Sequence, residues 1–170
     1  SSVKFMTTSR TLGEVSGLTA IDFENADSPV VTALKDEYIV TFHQFDSVTY
    51  GPSIFGVVIG KDGVMRAPQS MTVGAAHAQG NATYSYGDRF VMVWADDQDG
   101  RYQLYAQIFD KKLAPISTRL RLTTTQTDTH AASIAPSADG GLGVLYTDEN
   151  NGKPKTFFTR LDCKAAFELK

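Results

Sequence analysis

Three short stretches decide the fold: Tyr38-Ile-Val-Thr-Phe42, Phe90-Val-Met-Val-Trp94 and Leu142-Gly-Val-Leu-Tyr146. Their last residues are separated by one fixed step, since 94 − 42 and 146 − 94 are both 52. A period of this size indicates one supersecondary unit that is repeated along the chain. The stretch at 90–94 is apolar at every position, which is typical of a strand that is covered on both faces.

Further strands are predicted around each of these stretches. A first strand precedes them at 29–34, 81–86 and 133–138, and a third follows at 54–59, 104–109 and 156–161. A more polar fourth strand is predicted at 70–73 and 119–123, and residues 166–170 suit either a strand or a helical turn. No segment of helical length shows a 3.6-residue period, so the chain is predicted to be all-β.

The domain is predicted as a single unit over 1–170 that holds three four-stranded antiparallel repeats. An irregular N-terminal strand region (1–26) precedes repeats at 27–76, 77–128 and 129–170. Strands that grade from small and apolar to polar favour β-propeller-type blades, with a β-trefoil as the alternative. Because propellers close with about four to eight blades, three copies predict either a homo-oligomer or a part of a larger propeller.

Composition excludes several classes of function. The chain has 170 residues, of which 42% are hydrophobic and 21% charged, and its net charge of −3 is that of an ordinary globular protein. Basic residues are too sparse for a nucleic-acid surface, and no apolar run approaches the ~18 residues of a membrane span. Cys163 is the single cysteine, so an internal disulfide is excluded.

The second copy resembles a known bacterial repeat. Phe90-Val-Met-Val-Trp-Ala-Asp-Asp-Gln-Asp-Gly100, followed by Tyr105-Ala-Gln-Ile-Phe-Asp110, is similar to a G-F-V-V-V-W…D-G…A-Q-x-F-D pattern. That pattern occurs in large secreted adhesin-like proteins and in myxobacterial surface proteins. The resemblance is good over 77–162 and loose over 25–76. It implies propeller-like blades and a secreted or cell-surface location, with the periplasm as the alternative, and says little about function.

Acidic connections follow two of the three decisive stretches. Asp96, Asp97 and Asp99 precede Gly100, and Asp148 and Glu149 hold equivalent places in the next copy, so these five acidic residues are predicted binding residues. Oxygen ligands at alternate positions before a glycine suit Ca²⁺, so Asp97 and Asp99 are candidate metal ligands. A polar hairpin turn explains the same residues, and the full calcium-loop pattern is absent. No cofactor is predicted, with Ca²⁺ as the alternative.

Function is predicted from the loops, since no nucleophile elbow or phosphate loop is present. The connection that follows the first stretch carries Phe45 and Tyr50, aromatic residues suited to a protein or carbohydrate ligand. The prediction is a non-catalytic extracytoplasmic binding or scaffold module, not an enzyme. The alternative is a glycan-active hydrolase or lyase that uses the acidic-loop carboxylates. The three histidines, His43, His77 and His130, are interpreted as surface residues near strand ends, with a shared metal as the alternative.

Overall fold

The structure, a computed structural model, describes residues 3–5, 19–21, 25–46, 51–74, 77–150 and 152–162. These residues form one two-stranded sheet and three larger antiparallel sheets. The described ranges contain strands and no helix, and hence no helix that could cross a membrane.

The strands follow one another across each sheet in chain order. The small sheet pairs β1 (Val3–Phe5) with β2 (Thr19–Ile21). The first large sheet contains β3 (Asp27–Ala33), β4 (Glu37–Asp46), β5 (Gly51–Gly60) and β6 (Gln69–Ser70). The second contains β7 (Ala78–Tyr86), β8 (Arg89–Asp96), β9 (Gln103–Asp110) and β10 (Leu120–Arg121). The third contains β11 (Thr129–Pro136), β12 (Gly141–Asn150) and β13 (Lys153–Asp162).

The prediction of an all-β chain built from propeller-type blades is confirmed. The first strands of the three large sheets, β3, β7 and β11, contact one another in series, so the sheets are arranged side by side around this inner edge. Outer strands are shorter than predicted, since β6 and β10 have two residues each. The third sheet has three strands within the described residues, and the strand predicted at 166–170 lies outside them.

The first and second sheets pack face to face through a large apolar cluster. From the second sheet, Phe90, Met92 and Trp94 of β8 point into it and are fully buried. From the first sheet, Ile39 and Val58 meet them. Trp94, Phe90 and Phe109 are among the largest fully buried side chains of the described residues. This interface therefore fixes the first two sheets against each other.

The opposite face of the second sheet packs on the third sheet. Val91 and Val93 alternate with the residues of the first interface and contact Leu142 and Val144 of β12. Because successive side chains of a strand point to opposite faces, β8 supplies apolar residues to both interfaces. This double burial explains why the stretch at 90–94 is apolar throughout.

Trp94 is expected to be essential to this packing. Trp94→Ala should lower the free energy of unfolding by about 3–5 kcal/mol, because it leaves a cavity between the first and second sheets. That loss is a large share of the ~5–15 kcal/mol typical of a domain. Since Trp94 is the single tryptophan, urea unfolding should be followed by far-UV circular dichroism. Val73→Ala, at an exposed position, is the control and should change stability by less than about 0.5 kcal/mol.

Candidate functional site

The three large sheets present their functional loops at one common edge, which we call the cavity face. It is where β3, β7 and β11 begin and where β4, β8 and β12 end. The antiparallel register shows this directly, with Asp27 opposite His43 and Ala78 opposite Asp96. The ends of β8 and β12, which carry Asp96 and Asp148, and the end of β4, which carries Phe45, therefore lie on the same face.

A cavity of about 640 Å³ lies on the cavity face. We call it the shared cavity, because the inner strand of each large sheet contributes to its lining. Its lining residues are Asn25, Asp27, Ser28, His43, Gln44, Phe45, Pro52, Gln79, Gly80 and His130. Backbone irregularities place them there, since each inner strand shifts register near its start, at 27–30, 79–82 and 130–133. Such bulges redirect side chains, often beside functional sites.

The bulges carry an unusual backbone at equivalent positions. Ser28 has φ of 50° and Gly80 has φ of 64°, and the two residues are one 52-residue period apart. Glycine adopts this left-handed conformation freely, whereas a serine in it is uncommon. Unfavourable backbone that is kept beside a cavity is a feature of functional sites. Ser28 thus supports the shared cavity as the candidate site.

His43 joins the first and second sheets beside Asp27. The backbone N–H of Gly80 donates a hydrogen bond of 2.9 Å to His43 Nε2. Neutral His43 must therefore carry its proton on Nδ1, which faces Asp27 Oδ1 at 3.5 Å. Burial lowers the pKa of His43, although Asp27 and Asn81 act in the opposite direction. The ring is thus held neutral and fixed next to the Asp27 carboxylate.

The other side of the shared cavity is built by Gln79 and His130. Gln79 Nε2 donates to His130 Nδ1 over 3.2 Å, so neutral His130 carries its proton on Nε2. The His130 ring also lies 5.1 Å from the ring of Tyr102, centroid to centroid. Both His43 and His130 therefore line the shared cavity and are not free surface side chains. The His43 side chain is only 14% exposed. The described residues contain no group of three or more metal-ligating side chains.

Carboxylates of the second sheet's acidic connection are bonded within the protein. Asp96 is fully buried and accepts the Gln98 N–H at 2.9 Å, with Arg119 Nη1 3.6 Å away. Asp97 accepts both the backbone N–H and the ring Nδ1–H of His77, at 2.9 and 2.8 Å. These bonds pin the connection between the first two sheets to the one that follows β8.

The remaining predicted binding residues have different surroundings. Asp99 accepts from the Tyr105 hydroxyl at 2.6 Å and from Arg121 Nη1 at 2.9 Å, so the two candidate calcium ligands, Asp97 and Asp99, bond different groups. Buried Asp148 accepts from the Thr127 hydroxyl, and Glu149 is exposed. Phe45 lines the shared cavity with its ring half exposed. Tyr50 lies outside the described residues.

The cavity residues occupy positions at which the three copies differ. One period after His43 stands Ala95 and two periods after it Thr147, while Asp27 is followed by Gln79. The sequence contains no motif that selects Asp27 or Gln79, because their approach depends on the bulges of the inner strands. Divergence from the repeat at these positions is the signal that marks them.

Two solved structures that are similar to this one are enzymes. The chain resembles the endo-arabinase of Bacteroides thetaiotaomicron VPI-5482 with a TM-score of 0.57 and 14% identity, over 80% of this chain and 56% of that one. A GH43 endo-arabinanase from Bacillus licheniformis gives a TM-score of 0.49 and 12% identity, over 94% and 63% of the two chains. The chain thus spans less than two thirds of the length of either enzyme. No protein-family model and no curated protein sequence matches it.

The likeness to the Bacteroides enzyme shows a shared fold. It also overturns the prediction of a non-catalytic binding or scaffold module and the prediction that the chain is not an enzyme. That prediction rested on the absence of a nucleophile–base motif in the sequence. On this fold, however, polar groups meet through strand starts and strand ends that are distant in sequence, as Asp27 and His43 do, so a short motif is not required.

His43 should make stability sensitive to mild acid. Its pKa is lowered on folding from the ordinary value of 6.5, so the unfolded chain binds the proton more tightly. The stability that neutral His43 contributes is present above pH 6.5 and is lost as the pH falls through and below that value. The free energy of unfolding, measured in urea between about pH 7.5 and about pH 5, should therefore fall less in His43→Gln than in the wild type. Equal pH dependence of the two proteins would contradict a lowered pKa of His43 in the folded protein.

Proposed function

We propose that this chain is a glycan-active enzyme of the hydrolase kind, with its active site in the shared cavity and Asp27 as a catalytic carboxylate. The observation that carries the proposal is the pairing of Asp27 with a fixed, neutral His43 in a cavity formed by three sheets. Fold likeness to an endo-arabinase supports the same class of chemistry.

Charge favours a neutral glycan over an acidic one. Among the residues that the structure describes, the lining of the shared cavity contains Asp27 and neither lysine nor arginine. A uronic acid would bring a carboxylate next to Asp27 without a cation to pair it, which is unfavourable at short range. The charge of the lining therefore disfavours a lyase that acts on uronates and favours a hydrolase of neutral sugars.

The uncharged lining residues suit sugar hydroxyls and sugar faces. Asn25, Gln79 and Ser28 offer amide and hydroxyl groups that can donate and accept hydrogen bonds. The half-exposed Phe45 ring at the rim offers an apolar face against which the C–H face of a sugar packs. Several convergent polar groups beside an aromatic face suit a ligand that carries many hydroxyl groups.

Hydrolysis of a glycosidic bond uses two carboxyl groups, one that protonates the leaving oxygen and one that acts as base or nucleophile. In this proposal Asp27 is the base or nucleophile, and His43 is a positioning residue that holds its proton on the side of Asp27. Among the described lining residues Asp27 is the one carboxylate, and the acidic-loop carboxylates Asp96 and Asp97 are committed to bonds inside the protein, so the proposal assigns the base or nucleophile. A polymeric glycan as substrate also fits the proposed extracytoplasmic location.

Substitution of Asp27 tests this proposal. Asp27→Asn should reduce the release of reducing ends from arabinan by about 100-fold or more, since it removes a carboxylate that acts on the reacting atoms. Asp36→Asn is the matched control, because the Asp36 side chain is 62% exposed against 64% for Asp27 and also faces a cation-forming side chain. Asp36 lies in the turn between β3 and β4, at the opposite edge, and its substitution should leave the rate unchanged.

The preference for a neutral glycan is tested with the same reducing-end assay. Arabinan and other neutral polysaccharides should be cleaved, whereas polygalacturonate should yield neither reducing ends nor the unsaturated product of a lyase. Cleavage of polygalacturonate would overturn the neutral-glycan assignment. Equal activity of Asp27→Asn and the wild type, or no cleavage of any neutral polysaccharide, would overturn the hydrolase assignment.

A further inference from the structure

His77 and Asp97 form a closely bonded pair on the cavity face. His77 directly precedes β7, and Asp97 directly follows β8. One carboxylate oxygen of Asp97 accepts the backbone N–H of His77 at 2.9 Å, and the other accepts the Nδ1–H of its ring at 2.8 Å. Because the neutral ring then carries its proton on Nδ1, Nε2 presents a lone pair that can accept a hydrogen bond.

The ring of His77 is also fixed by Gly51, the first residue of β5. A Cβ added to Gly51 would overlap Cδ2 and Nε2 of the ring, so the imidazole occupies the space that any other side chain at position 51 would need. Together with the bond to Asp97, this contact sets the orientation of the ring before any ligand binds. A polar group that is already fixed binds a ligand at a lower entropic cost than a mobile one.

The fixed ring is nevertheless accessible. The His77 side chain is 37% exposed. Among the residues that the structure describes, none donates a hydrogen bond to Nε2, and Nε2 does not belong to the buried side-chain atoms that lack a partner. Polar atoms of a folded protein are usually hydrogen-bonded to protein or to water. Nε2 of His77 is thus an oriented acceptor that a ligand hydroxyl can reach.

The pair adjoins the lining of the shared cavity. The ring of His77 covers Gly51, and the next residue, Pro52, lines the cavity. Two residues after His77 stands Gln79, which lines the cavity as well. His77 therefore lies at the rim, between two parts of the lining.

The repeat shows that this ring is more than a means of joining the connections. One period before His77 stands Asn25, which lines the shared cavity. One period after it stands Thr129, which is fully buried and joins its connection to the second sheet by donating its N–H and hydroxyl to the Tyr102 carbonyl, at 2.8 and 3.0 Å. A small buried side chain is thus sufficient for the structural role, and the exposed imidazole is explained by a ligand.

We propose that His77 is a sugar-contacting residue at the rim of the shared cavity, where its Nε2 accepts a hydrogen bond from a hydroxyl group of a neutral glycan. The contacted sugar unit lies beyond the one held at Asp27, so the substrate spans more than one sugar. Asp97 is the positioning residue that holds the ring. An acidic sugar is disfavoured here too, because its carboxylate would meet Asp97 and has no proton to donate to Nε2. This inference rests on the proposed glycan-hydrolase function.

Two substitutions separate the ligand contact from the bond to Asp97. His77→Asn places an amide nitrogen at the position of Nδ1, so it keeps the bond to Asp97 and removes the acceptor. His77→Gln extends an amide to the reach of Nε2, so it keeps an acceptor and loses the bond to Asp97. Both are made in the Asp27→Asn protein, which should not cleave, and linear arabinohexaose is titrated by calorimetry. His77→Asn should weaken binding by about 5- to 10-fold, the effect of one lost hydrogen bond, and His77→Gln should weaken it less.

A purely structural role of His77 would give the opposite order, with His77→Asn binding as tightly as its parent and His77→Gln impaired. That order, or a parent protein that does not bind arabinohexaose, would overturn the inference. Calorimetry measures binding and the reducing-end assay measures cleavage, so the two proposals fail separately. Arabinan cleavage with unchanged affinity in His77→Asn overturns the sugar contact alone, whereas weakened binding in His77→Asn without cleavage by the wild type overturns the hydrolase assignment alone. Far-UV circular dichroism and thermal unfolding show whether each variant is folded.

Discussion

The constraint on which this structure depends is that its central sheet must be covered on both faces. In β8, Phe90 and Trp94 face the first sheet while Val91 and Val93 face the third. A sheet with two apolar faces is not stable in water alone, because the hydrophobic effect acts on each face separately. The three sheets therefore stack in a fixed order, with the second sheet as the layer that holds the other two.

Stacking of this kind also determines where a site can form. The sheets approach most closely at their inner strands, so the ends of these strands bring groups from three repeats to one place. The inner strands pair in antiparallel register with their neighbours, and the register shifts near Asp27, Gln79 and His130 turn side chains toward a common space. The shared cavity is thus a consequence of sheet packing combined with three local departures from regular pairing.

Much of the fold could be predicted from the sequence, because double burial leaves a direct trace in it. An unbroken apolar strand such as 90–94, repeated with a constant period, indicates stacked sheets without further information. The outer strands were harder to predict. Residues 119–122 alternate as a strand does, yet Arg119 is not part of β10. Its guanidinium carbon lies 5.5 Å from the centre of the Trp94 ring, and its N–H groups donate hydrogen bonds to the Gln98 side chain and the Val73 carbonyl. A tertiary contact of this kind is not encoded in local alternation.

The residues of the candidate site are not the residues that recur with the period. A carboxylate that recurs with the period, as Asp96 and Asp148 do, has a partner within its own repeat or the preceding one, and both carboxylates are buried. Recurrence is then a sign that the residue holds the repeat together. Asp27 and His43 have no counterparts one period later, where Gln79 and Ala95 stand, so the architecture does not require them. Both a mostly buried imidazole and a strained neighbour at Ser28 are unfavourable for folding, and they are explained when the pair serves a ligand in the shared cavity.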